Sequence, residues 1–310
     1  MNPARRHRPE LISLLIVCAA VCLAGCGTPS RPSAAAFDIR PASGVTVTFH
    51  DVNGAEMLSD GTMILPLDHY DAYMVGANEA LVFKAATMLE QACMRAKGLT
   101  LPNGWGGRYL PTETPPLAIY GVATLTDAAT LGYRVPAPPS PDAPAPAVPT
   151  NVSTAFDGQP GKPGCAEKAG TALSVSESID AYGYVQGLRS RALSAVYSDQ
   201  RVSAATAAWS ACMKAHGYSY PDPLTAANDT TLSGGVKGGL VRPLGPKEKA
   251  AAIADVSCKH SVGYLDTFAS VSADYQNQLI AKNSKKLAQC LTEWHDVLSK
   301  AAAIVHVPEP

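Results

Sequence analysis

Gln91-Ala-Cys93-Met-Arg-Ala-Lys-Gly98 and Ser210-Ala-Cys212-Met-Lys-Ala-His-Gly217 are two copies of one pattern. In each, Cys and Met stand five and four residues before a glycine. A glycine closing a run of helix formers is the usual C′ residue, whose left-handed backbone ends the helix, so each Cys falls on a last helical turn. A cysteine there suits a disulfide that pins the helix end to a partner segment. The repeat is too short for a solenoid array and describes two related helical hairpins. The fold expected is mainly α: a disulfide-stapled helical bundle with an irregular N-terminal lobe and a Pro/Ala-rich insert.

The helices extend outward from these two ends. Asn78 is a good N-cap, and Glu79 to Lys97 reads helical, with Leu81, Val82, Ala85, Met88, Leu89 and Ala92 on one face. Ser176 to Ser198 reads helical with Ile179, Tyr182, Val185, Leu188 and Leu193 as its apolar positions. Asp199 caps the next helix, which carries Val202, Trp209 and Met213 and stops at Gly217. Pro246 suits the first position of a helix, and the pattern then stays helical to Val305 with a bend near Asn283-Ser284. Its seam runs through Ile253, Val256, Leu265, Phe268, Ser272, Tyr275 and Leu279, then Leu287, Cys290, Trp294 and Leu298.

The N-terminal part is less regular. Val45-Thr-Val-Thr-Phe49 reads as a short strand paired with Met63-Ile-Leu-Pro-Leu67 across the Asp60-Gly61 turn, or as an unpaired extended segment. A short helix is expected at Thr126–Leu131. Val135 to Thr150 is a Pro/Ala tract that loops out of the fold, and residues 221–245 read as a polar loop. Four segments follow: a leader at 1–25, a flexible tether at 26–43, the N-terminal lobe at 44–170 and a helical domain at 171–310.

The leader carries an address. Arg5, Arg6 and Arg8 precede an apolar run at 11–22 that is too short to span a bilayer, and Leu23-Ala24-Gly25 sets small residues before Cys26. This arrangement resembles a bacterial lipoprotein signal, which implies cleavage before Cys26 and a diacylglycerol on its sulfur. The expected localisation is extracytoplasmic, on the membrane through a lipid anchor. Of 25 Lys and Arg and 26 Asp and Glu in the chain, Arg5, Arg6, Arg8 and Glu10 leave with the leader. The net charge near −3 that remains, with no basic cluster, argues against a nucleic-acid surface. Of eight cysteines, Cys18 and Cys22 leave with the leader and Cys26 is acylated, so Cys93, Cys165, Cys212, Cys258 and Cys290 stay in an oxidising compartment. An odd number leaves one unpaired.

A wider resemblance rests on the same residues. Trp209-Ser-Ala-Cys212-Met-Lys-Ala-His-Gly-Tyr218-Ser-Tyr220-Pro-Asp-Pro223, then Glu248-Lys-Ala-Ala-Ala-Ile-Ala-Asp255-Val-Ser-Cys258-Lys and Tyr275-Gln276, resembles a group of secreted lipoproteins of high-GC Gram-positive bacteria. Leu65-Pro-Leu-Asp-His-Tyr70, the Cys93 repeat and Gly121 to Tyr133 resemble its N-terminal half. The resemblance implies an address and a cysteine pairing, Cys212 with Cys258 and Cys93 with Cys165, but no reaction. A Cys212–Cys258 bond closes a loop of about 46 residues, on the order of 4 kcal/mol in chain-entropy terms. The pair Cys93 and Cys165 would close over the Pro/Ala insert. Cys290, on an apolar helical face, is the expected unpaired thiol, buried or else joined to another chain.

The sequence contains no Gly-x-Ser-x-Gly, Ser-x-x-Lys or His-Glu-x-x-His spacing. His50, His69, His216, His260, His295 and His306 are scattered with no i,i+4 pair among them, so neither a metal site nor a cofactor is read. Ser233-Gly-Gly-Val-Lys-Gly-Gly239 lacks the phosphate-loop spacing. Cys258-Lys-His260 places a thiol near a base on one helix, where the side chains diverge. Glu248, Asp255 and Glu293 are carboxylates that a glycan hydrolase would use and that solvated helix faces carry as a matter of course. Trp209, Tyr218 and Tyr220 are candidate ligand-contact aromatics, or the cover of a disulfide. The reading is therefore a cell-surface lipoprotein with a non-catalytic binding or structural role at the membrane–cell-wall interface. A cell-wall or envelope-protein partner is expected, and the alternative is an envelope hydrolase.

Overall fold

A computed structural model describes residues 35–41, 43–72, 76–107, 110, 120–134, 148–233 and 244–306. The leader, Cys26, residues 135–147 of the Pro/Ala tract and the glycine run at 234–239 lie outside the described residues. The fold is mainly α with few strands. Among the described residues, no helix is long and apolar enough to cross a membrane.

The two repeated helix ends are superimposable in their bonding. Helix α1 spans Gly76–Ala96, and Leu99 N–H reaches Met94 O at 3.0 Å while Gly98 N–H reaches Arg95 O at 2.9 Å. The helix ending at Ala215 repeats this, with Tyr218 N–H on Met213 O and Gly217 N–H on Lys214 O, both 3.0 Å. Gly98 and Gly217 take φ of +68° and +86°, which a side chain would strain. Met94 and Met213 are both fully buried under these caps.

Near the N-terminus, β1 (Val47–His50), β2 (Glu56–Leu58) and β3 (Met63–Ile64) form an antiparallel meander in that order. This corrects the expected pairing. The Asp60-Gly61 turn joins β2 to β3, with Met57 opposite Met63, and β1 pairs with β2 through Val47–Leu58 and His50–Glu56. The intervening Asp51–Ala55 turn, closed by Asp51 N–H on Ala55 O, supplied a strand that periodicity did not show. Tyr120 pins the second hairpin by donating to Gly61 O and accepting from Met63 N–H.

The remaining elements are α2 (Leu125–Thr130), α3 (Thr150–Asp157), a hairpin of β4 (Gly158–Gln159) and β5 (Lys162–Pro163), and α4 (Cys165–Leu173). Then come α5 (Val175–Ser198), α6 (Gln200–Ala215), α7 (Pro223–Ala227), α8 (Thr230–Ser233), α9 (Pro246–Ser261) and α10 (Tyr264–Val305). Helix α3 begins at Thr150, the last residue assigned to the insert, and α3 and α4 were not read from the sequence. Asp222 caps α7 inside the expected polar loop, its side chain accepting from Thr225 N–H. The single helix expected from Pro246 breaks at Val262-Gly263, so α9 and α10 are separate.

Helix α10 is the spine. Leu265, Phe268, Ser272, Gln276, Leu287, Cys290, Trp294, Val297 and Ala301 are buried along it, and α1, α5 and α6 pack against it. It kinks at Asn283 (φ −121°, ψ 16°), as the bend near Asn283-Ser284 anticipated. Asn283 Nδ2 takes the Leu279 carbonyl at 2.6 Å and Tyr184 OH donates to Asn283 Oδ1 at 2.7 Å, so a side chain interrupts the helical ladder. Opposite, α5 buries Ser178, Ala181, Val185, Leu188, Ala192 and Val196, a 3–4 seam that keeps the expected Val185 and Leu188 but not Ile179, Tyr182 or Leu193. Ile179 is 45% exposed, while Ala181 clusters with Cys290 and Trp294, and Val185 and Leu188 with Leu287, all on α10.

Both disulfides are those implied by the resemblance, Cys93–Cys165 and Cys212–Cys258, with Cα separations of 5.6 and 5.7 Å. The first ties the end of α1 to the start of α4, and the second ties α6 to α9. Cys290 is a free, fully buried thiol among Phe37, Ala181 and Trp294. Part of the expected tether is docked: Phe37 is 7% exposed and stacks on His295, while Ala35 O, Phe37 O and Phe37 N–H bond to His295, His69 and His69 O. Ser33–Pro310 clusters as one compact unit.

Candidate binding site

The chemistry of the molecule concentrates where α9 meets residues 121–134. Lys259 is completely buried, and its ammonium donates to Val122 O at 2.9 Å and to Asp255 Oδ2 at 3.0 Å, one turn earlier on α9. The second carboxylate oxygen, Oδ1, accepts the Trp209 indole N–H at 2.8 Å from α6. His260 Nε2 lies 3.1 Å from Ala123 O. Burial pushes the Asp255 carboxyl up and the Lys259 ammonium down, and their mutual attraction opposes both shifts. The pair therefore serves as a bolt between α9, α6 and the 121–123 strand of coil.

A second buried pair holds the other edge. Glu248 is completely buried and receives Arg134 through Nη2 at 2.8 Å and Nε at 3.2 Å. Gly132 makes this approach feasible: a Cβ there would stand 2.8 Å from Glu248 Oε1 and 2.6 Å from Leu244 Cδ1. Between the two pairs, α2 packs Ala128 onto Ala252 and Val256 of α9. Thr124 caps α2 by accepting from Asp127 N–H and donating to Asp127 Oδ2 at 2.7 Å.

In front of this clamp lies a cavity of about 390 Å³ between residues 121–134 and α7, lined by Asp127, Tyr133, Arg134, Leu224 and Asn228 among others. Burial, then the nearby Asp255, raises the Tyr133 phenol well above its usual value, so it stays protonated, with its OH 3.3 Å from Ala251 O. A larger and shallower groove, about 580 Å³, runs past Ala204, Ala205 and Ala208 of α6 and offers Arg201 and Asp266 as its charged groups.

The residues singled out from sequence divide sharply. Trp209 is wholly buried and takes the structural role, backing Asp255, so it presents no face to a ligand. Tyr218 and Tyr220 are half-buried and pack against the same core as Tyr133. Tyr220 donates to Asp229 Oδ2 at 2.6 Å, and burial with that carboxylate pushes its phenol up to about 12. Of the three carboxylates, Glu248 and Asp255 are brought to this region, each engaged by a cation, while Glu293 lies on α10, where Gln289 donates to it. Cys258 is consumed by its disulfide, which removes the thiol–base reading of Cys258-Lys-His260.

Two features escaped the sequence reading. Lys259 and Asp255 stand at i,i+4, a spacing that was legible, but nothing local shows that both are buried. The side chains of Cys212, His216 and Cys258 also converge, with their ligand-type atoms all within 4.8 Å of one another. The histidines are still not paired with one another; His216 instead stands four residues after Cys212, on the same helix end. No family model, curated protein or solved structure matches this chain.

Proposed function

We propose that this protein is an envelope lipoprotein, acylated at Cys26 on the trans side of the membrane, that acts by binding rather than by catalysis. The observation that carries the reading is the cavity beside α9. It is polar at Asp127, Tyr133, Arg134 and Asn228, and two buried ion pairs hold its 121–134 wall onto α9 through Arg134 and the Val122 carbonyl. A wall fixed in this way is preorganised, so a ligand loses little to ordering it. Two disulfides fit an oxidising compartment.

Two measurements test the parts separately. Metabolic labelling with a fatty-acid probe should mark the protein and fail on Cys26→Ser, which should also leave the membrane fraction; an unlabelled wild type removes the anchor. A photo-crosslinking amino acid at Asn228 should capture a cell-wall or envelope component in living cells, and the protein should sediment with purified wall. A control site at Lys249 should capture none. Equal capture at both positions, or neither capture nor sedimentation, removes the binding role.

A further inference from the structure

The Cys212–Cys258 disulfide differs from its twin in one respect that the repeat makes visible. At the position held by Lys97 in the first copy, the second copy has His216. Cys212 and His216 are four residues apart at the end of α6, and the imidazole, Cys212 Sγ and Cys258 Sγ lie within 4.8 Å of one another. Among the described residues, no comparable third donor accompanies Cys93 and Cys165.

We propose that reduction of the Cys212–Cys258 bond converts this corner into a site for a thiophilic divalent cation of the zinc class. The two cysteine sulfurs and one His216 ring nitrogen would be its protein ligands, with water in the fourth position. A Cys2His set with one open position is a zinc coordination of known type. Zinc–sulfur distances of about 2.3 Å put two sulfurs of a tetrahedral site about 3.8 Å apart. Rotation of the two side chains about backbones already 5.7 Å apart supplies that separation without moving the helices.

The electrostatics favour a cation. Both α6, ending at Ala215, and α9, ending at Ser261, bring their carbonyl ends to this corner, and helix C-termini carry negative potential. Of the basic groups in these last turns, Lys259 is offset by Asp255, His260 is turned to the Ala123 carbonyl, and Lys214 is exposed to solvent, which screens it. Access is from solvent, because His216 is exposed and Cys212 half-buried while Cys258 forms the floor. Ser261 Oγ, 3.8 Å from Cys212 Sγ, adds a polar neighbour. The chemistry balances in two steps. Two reductant thiols, joining as one disulfide, or one phosphine with one water, giving the phosphine oxide, supply the two electrons and two protons that open the bond to two thiols. The metal ion then displaces both thiol protons, and neutral His216 donates its lone pair.

The test is a Co²⁺ titration of the full-length protein in detergent, before and after a phosphine reductant, read by absorption and by far-ultraviolet circular dichroism. The expected result is thiolate-to-cobalt charge transfer and tetrahedral d–d bands only after reduction, bleached by one equivalent of Zn²⁺. Substitution His216→Ala, at an exposed position, should weaken binding at least tenfold while leaving the circular dichroism spectrum unchanged. Cys212→Ser with Cys258→Ser should abolish the bands, and Cys93→Ser with Cys165→Ser should keep them. The proposal fails if the reduced protein shows no such bands, if His216→Ala binds as wild type, or if reduction unfolds the chain.

Discussion

Lys259 and Asp255 form an ion pair that no water reaches: both side chains are completely buried, with Nζ 3.0 Å from Oδ2. Taking two charges out of water costs several kcal/mol each, so the attraction between them mainly offsets desolvation. Removing one partner should therefore cost far more than removing both. Asp255→Ala is expected to destabilise the fold by about 3–5 kcal/mol, because a buried ammonium loses its counter-charge. Asp255→Leu combined with Lys259→Met should recover part of that loss, the remainder reflecting the Trp209 N–H left without its acceptor and the Val122 carbonyl left without its donor, about 1–3 kcal/mol each. Urea unfolding of wild type, Asp255→Leu, Lys259→Met and the double variant measures the coupling, and additive losses would refute it.

The Glu248–Arg134 pair makes a similar claim at the rim of the cavity, with Glu248 fully buried and Arg134 mostly so. Arg134→Ala should cost about 3–5 kcal/mol by leaving that carboxylate unpaired. Gly132→Ala should also destabilise, by about 1–3 kcal/mol, since its φ of +66° and the 2.8 Å approach of Glu248 both oppose a side chain. Both are read by thermal or urea melts, and a Gly132→Ala variant as stable as wild type would contradict this geometry.

Asp199 caps α6 and accepts from Arg201 and Tyr275, bonds that lower its pKa to about 2, with the Arg201 side chain the largest cause. Its folded-state value lies below the ordinary carboxylate value of 3.8. The stability it adds is therefore complete above that value and is lost as pH falls toward about 2. Asp199→Asn keeps a capping oxygen but cannot titrate. The stability difference between wild type and this variant should thus shrink between pH 4 and 2, as followed by melting at stepped pH; a constant difference would exclude the linkage.

Cys290 is fully buried, and burial raises its thiol pKa, so little thiolate forms and none is accessible. Iodoacetamide should leave Cys290 unmodified in the native protein at pH 8 and label it fully in denaturant. Peptide mapping without reductant should return Cys93–Cys165 and Cys212–Cys258 as the crosslinked pairs. A Cys258–Cys290 crosslink would contradict the arrangement described here.

What could be read along the chain is what local chemistry decides. Gly98 and Gly217 end their helices because only a residue without Cβ takes the left-handed turn easily, and Asp199, Pro246 and Asn283 act within one turn of themselves. These marks placed α1, α5, α6 and the kink of α10 close to where they stand. Short elements were harder: α3, α4 and α7 carry too few residues to show a period, and β2 owes its existence to pairing with two neighbours.

Which stripe of a helix faces inward, by contrast, was settled by what lies opposite. Ala181 and Val185 are buried and Ile179 exposed because Cys290, Trp294 and Leu287 of α10 cover the first two, a fact about two helices rather than one. The same holds for the site. Lys259 meets the Val122 carbonyl across 137 residues of sequence, Trp209 meets Asp255 across 46, and His216 meets Cys258 only because two helix ends converge. Periodicity reports a single element's own geometry; burial, charge pairing and ligand convergence belong to the contacts between elements, and those exist only once the chain has folded.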